Sequence, residues 1–197
     1  PMRRLFHVPI LHTAADLGSL AESVKAQYAR ILGPAGWTWR QQTVEQLWRA
    51  IRGRIEALGL DYAKTRVYQD GLPVCGFELQ IVQELAKAGS SNHQLLLDLV
   101  DRGATLMGTE DPQLLVREYQ LHQPHGPSTG DRPPSAVVGP EERQAEAEAR
   151  RILRARDQFI VKRIDATLEC GETGLLFLGA AHRLDAFQST AIGTETL

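Results

Sequence analysis

Residues 175–178, Leu-Leu-Phe-Leu, form an unbroken apolar run that stops at Gly179. So short a run, with no polar residue to mark an outer face, fits a strand covered on both sides. Such a strand needs a sheet with helices on each face, and the rest of the chain reads that way. Three further strand-like runs stand at 5–11 (LFHVPIL), 65–69 (TRVYQ) and 104–108 (ATLMG). Helical patterns separate them. One spans about 17–32 and 38–58, broken by the GPAG turn at 33–36; its second part carries the stripe Val44, Leu47, Trp48, Ile51, Ile55 and Leu58. Others cover 77–88, 92–102 and 141–168, and a helix opens at Pro112. Strands alternating with helices imply right-handed crossovers and a mostly parallel sheet. The expectation is one α/β domain over 1–197, of three layers with the sheet in the middle. A helical insertion at about 17–58 and a mobile, Pro- and Gly-rich loop at about 121–140 complete it.

Bulk properties narrow the partners. A formal charge of −2 leaves no basic excess to displace counterions, so nucleic acid is not an expected ligand. No segment reaches the roughly 18 apolar residues of a membrane span, and the N-terminal apolar run is too short for a signal peptide. Cys75 and Cys170 stand far apart and make no CxxC pair; Cys75 lacks an adjacent base that would make it a nucleophile. A cytoplasmic protein with a small-molecule or peptide substrate is the expectation, and the Trp-bearing helices offer a surface for a homo-oligomer.

In open parallel sheets, ligands sit beyond the carboxyl ends of the strands. Each of the four strand-like runs is followed within a few residues by a chemically capable side chain: His12, Asp70, Glu110 and His182. Arg156 lies four and eight residues before Ile160 and Ile164, so it extends the buried stripe of its helix at the end that starts near the strand finishes. Glu78, in a first helical turn, falls on the same edge. Each residue also has a plainer explanation. Histidines often end strands, Asp70 sits in an Asp-Gly turn, Glu78 and Glu110 suit helix N-termini, and Arg156 can pair on the surface. His93, His122 and His125 read as solvated, and Trp37, Trp39 and Trp48 as packing.

The segment RDQFIVKRIDATLECGETGLLFLGAAH resembles the closing motif of the TraB/ChaN/erythromycin-esterase/Tiki-like superfamily. There an arginine opens a helix and the next strand ends in G-x-x-H, matched here by Arg156 and by Gly179 to His182. The resemblance also implies a histidine after the first strand, His12, and an acidic residue after the second, Asp70 or Glu78. Pro9 stands where the first G-x-x-H has its glycine, and the family continues further past the second histidine than the 15 residues present here.

The resemblance implies hydrolysis of an ester or peptide bond, metal-dependent or metal-free. His12 and His182 would hold a divalent metal ion or a water directly, and Asp70, Glu78 or Glu110 would act as general base. Arg156 would stabilise the developing oxyanion. The competing expectation is a non-catalytic binding or regulatory module that holds a small anionic ligand on the same edge, through Arg156 and the glycine turns, or docks a partner on the helices at 17–58.

Overall fold

The computed structural model describes residues 2–11, 21–122, 139–183 and 191–197. Five strands, all parallel, form one sheet: β1 (Arg3–Ile10), β2 (Thr65–Gln69), β3 (Thr105–Met107), β4 (Thr173–Gly179) and β5 (Ile192–Thr196), in the order β3-β2-β4-β1-β5. The helices among the described residues are α1 (Ala21–Ala57), α2 (Glu78–Lys87), α3 (Ser91–Asp101), α4 (Pro112–His122) and α5 (Pro140–Thr167), with a 3₁₀ turn at Tyr62–Lys64. From β1 through β3 the chain moves toward one edge of the sheet; from β3 to β5 it moves back. Right-handed crossovers must change face when that direction reverses.

The core divides accordingly. Phe6, Val8, Ile10, Val67, Leu175 and Phe177 pack with Trp48, Ile51, Ile55, Val82 and Leu96 of α1, α2 and α3. On the other face Leu5, Tyr68, Leu176 and Leu178 meet Ile160, Val161, Ile164 and Leu168 along α5 and at its end. Strand alternation does the sorting, because neighbouring residues of β4 point to opposite layers. β4 pairs with β2 on one side and β1 on the other, so its apolar run lies at the centre.

Residues 21–57, read as an insertion, are the crossover from β1 to β2 and supply Val44, Trp48, Ile51 and Ile55 to the core. The break expected at 33–36 is a kink at Gly33, whose φ of 72° and ψ of 174° are non-helical. Trp37 and Trp48 are buried, but Trp39 is exposed. Phe77 also faces solvent, as the residue before α2 rather than a member of its apolar stripe. The loop expected at 121–140 falls mainly on 123–138, outside the described residues.

The sequence reading missed β5. Only Ile192 of that strand is buried, so the segment carries no apolar signal; it pairs with β1 from Arg3↔Ile192 to His7↔Thr196. His93 departs from expectation too. It is buried, and its Nδ1 lies 2.7 Å from Oγ of Ser90, the N-cap of α3.

Candidate functional site

At the end of β2 the Asp70 amide donates to the Phe177 carbonyl of β4 at 2.8 Å, prolonging the ladder by one residue. The Asp70 carboxylate then reaches across, its Oδ2 accepting from the Gly179 amide at 2.9 Å. Beyond β3, Glu110 is tied into the turn that follows β2: its amide donates to the Leu72 carbonyl at 3.0 Å, and its carbonyl accepts from Val74 at 2.9 Å. Both carboxylates thus come from backbone fixed on two sides. After β4 the chain turns at once, the His182 amide donating to the Gly179 carbonyl at 3.1 Å.

Arg156 gathers these ends together. Its Nε and Nη2 grip Glu110 at 3.1 and 2.6 Å, its Nη2 also donates to Asp70 Oδ1 at 2.8 Å, and its Nη1 donates to Glu118 at 2.6 Å. All three guanidinium nitrogens are committed to carboxylates. His182 is held between two more: Nδ1 lies 2.6 Å from Asp157 Oδ1, and Nε2 lies 3.3 Å from Asp70 Oδ1. Side-chain exposures of 7% for Arg156 and Asp70, 0% for Glu110 and 3% for His182 put the cluster out of bulk water; Glu118, at 31%, is its solvent-facing member.

Low dielectric makes the charge balance consequential. Among the described residues, Asp70, Glu110, Glu118 and Asp157 set four carboxylates against one guanidinium and one imidazolium, leaving two negative charges in excess when all are ionised. Burial alone would push the His182 imidazole down, but hydrogen bonds to Asp157 and Asp70 outweigh it and carry the group up to about 9. Burial also opposes ionisation of Asp70, yet His182, Arg156 and the Gly179 amide hold its carboxyl well below the usual range. For Glu110 burial wins, and its carboxyl is pushed up despite Arg156. Two carboxylates on one arginine are thereby driven apart.

Four of the residues singled out from the sequence, Asp70, Glu110, Arg156 and His182, thus meet in one cluster. Glu78 does not join them. Its carboxylate accepts from the amides of Cys75 at 2.9 Å and Gly76 at 3.1 Å; burial opposes its charge, but these amides hold the group below its ordinary range. Glu78 serves the turn before α2. His12 lies outside the described residues, although β1 and β4 finish level, with Ile10 opposite Gly179. Two members of the cluster, Asp157 and Glu118, were missed. Asp157 stands three, four and seven residues before Ile160, Val161 and Ile164, so a carboxylate on the buried stripe was the available signal. Glu118 follows Leu114 and Leu115 by four and three residues, on the inner side of α4.

One ligand atom each from Asp70, Glu110 and His182 lies within 4.8 Å of the others, a donor set suited to a divalent ion. As folded, it does not fit a resident metal. Arg156 Nη2 already bridges Asp70 and Glu110, and both imidazole nitrogens face carboxylates, whereas a metal ligand must offer a neutral nitrogen. Arg156, for its part, spends four of its five N–H donors on carboxylates, so most of its guanidinium is committed within the cluster. No family model, curated protein or solved structure matches this chain.

Proposed function

We propose that this chain is a metal-independent hydrolase of small-molecule or peptide esters or amides, akin to the TraB/ChaN-like superfamily, with its acid–base centre at His182. The observation that carries the reading is the Asp157–His182 pair: a carboxylate 2.6 Å from Nδ1 fixes the ring and leaves Nε2 as the working nitrogen. At neutral pH an imidazole held up to about 9 begins protonated, so its first task is to donate a proton to a leaving oxygen or nitrogen. Glu110, pushed up by burial, is the better-matched base; Asp70 stays ionised and steadies the imidazolium. Arg156 acts as a positioning residue, holding Asp70 and Glu110 at a fixed separation.

Turnover of a panel of p-nitrophenyl esters and fluorogenic peptides, in EDTA, tests this. His182→Ala is expected to lose about 10²–10⁴-fold in rate with the fold intact by circular dichroism. Undiminished activity in that variant, or activity abolished by EDTA, overturns the reading.

A second reading, a non-catalytic binding or regulatory module, draws on the low exposure of the cluster: a fully paired, buried network can serve only to lock strand ends together. It does not favour an anionic ligand at Arg156, because the surrounding carboxylates outnumber the cations. Absence of turnover across the panel, with His182→Ala changing stability alone, would select it.

A further inference from the structure

We infer that Arg156 is a built-in cation seated in a latent divalent-metal site, and that its guanidinium is what makes the cluster independent of metal. The inference stands apart from the hydrolase reading, since its readout is ion binding and not turnover.

The geometry is that of a metal site with an organic occupant. Asp70, Glu110 and His182 present donor atoms within 4.8 Å of one another, and they come from the ends of three different strands, β2, β3 and β4. Arg156 Nη2 lies 2.8 Å from Asp70 Oδ1 and 2.6 Å from Glu110 Oε1. It occupies the space where a shared ion would stand, and a divalent ion cannot enter beside it. Glu118, reached by Nη1 at 2.6 Å, and Asp157, on the far side of His182, add negative charge from two helices. A guanidinium is suited to this place: its charge does not titrate away, and its flat fork reaches three carboxylates at once, as the compact ammonium of lysine would not.

Removing Arg156 reverses the balance. Among the described residues, four carboxylates would then face one imidazolium, leaving three negative charges in excess. Carboxylate repulsion must be relieved by protonation, by unfolding or by a cation from solution. A divalent ion restores the original charge sum and releases the His182 proton, freeing Nε2 as a ligand.

The test compares wild type with Arg156→Ala by thermal unfolding, with and without 1 mM Mn²⁺ or Zn²⁺ (roughly 100-fold above a micromolar-range Kd), and by titration of Mn²⁺ bound per chain using electron paramagnetic resonance. Wild type is expected to melt at the same temperature with either ion or with EDTA. Arg156→Ala should melt lower, regain several degrees with either ion, lose them to EDTA, and bind one Mn²⁺ per chain. Asp70→Asn added to Arg156→Ala should abolish the response. Should Arg156→Ala fail to fold, Arg156→Ala/Glu118→Gln keeps the three donors and carries one charge fewer. The inference fails if the folded variant ignores both ions, if the added Asp70→Asn responds equally, or if wild type binds Mn²⁺ one to one with Arg156 in place.

Discussion

At neutral pH the His182 imidazole carries its proton, and stability depends on keeping it there. An ordinary histidine titrates at 6.5, and this one titrates at about 9 in the folded chain. A difference of about 2.5 units corresponds to on the order of 3 kcal/mol of folding free energy. The sign follows from the raised folded value: the contribution is complete below 6.5, declines as pH rises, and is gone above about 9. Urea unfolding followed by tryptophan fluorescence between pH 6 and 10 reads the effect, with His182→Asn as reference. The variant will be less stable at neutral pH, because Asp157 and Asp70 lose their shared partner. The decisive quantity is the slope. Wild type should lose about 3 kcal/mol more than the variant between pH 6.5 and 9.5, with unchanged m-values. Asp70 is already ionised throughout that window, and the Tyr68 hydroxyl, pushed up by burial, titrates in both proteins and cancels. Parallel curves for the two proteins would refute the picture of an imidazolium clamped between two carboxylates.

Two other perturbations probe the frame around the site. A Cβ at Gly108 would come within 2.8 Å of Val74 Cα and 2.9 Å of the Pro73 carbonyl oxygen, both backbone atoms, so Gly108→Ala must push the β3 end away from the turn that anchors Glu110. A loss of about 1–3 kcal/mol in chemical unfolding is expected, together with lower activity. Ser90→Ala removes the hydroxyl that accepts from the His93 amide at 3.2 Å and contacts the His93 ring; a loss of roughly 1–2 kcal/mol is expected by the same measurement, with the activity of the edge cluster unchanged.

The parallel sheet was legible because strand-like runs alternate with helical patterns, which calls for crossovers between strands that run the same way. The edge cluster was legible through topology: once strands run the same way, whatever follows each of them collects on one side, and Asp70, Glu110 and His182 do. What the residues could not announce was how they pair. Arg156 looked free to meet a substrate oxygen; in the fold three carboxylates absorb it. Glu78 looked equivalent to Glu110, but it opens α2 itself, whereas Glu110 stands two residues before α4, and its carboxylate takes the Cys75 and Gly76 amides as partners. Strand β5 escaped notice because an edge strand with one buried residue has no hydrophobic period to detect. His93 was misjudged because its burial comes from the packing of α3, while local sequence showed only a polar helix start.

The position of β4 has a consequence for how the protein is made. A nascent chain that has not yet reached Thr173 possesses β1 and β2 but not the strand that joins them, so each presents an open, unsatisfied flank where β4 later inserts. From Thr65 to Thr173 is 108 residues, roughly 5–20 s of synthesis. Throughout that interval the two open flanks can pair with a strand of another chain, and synthesis of β4 is what closes them.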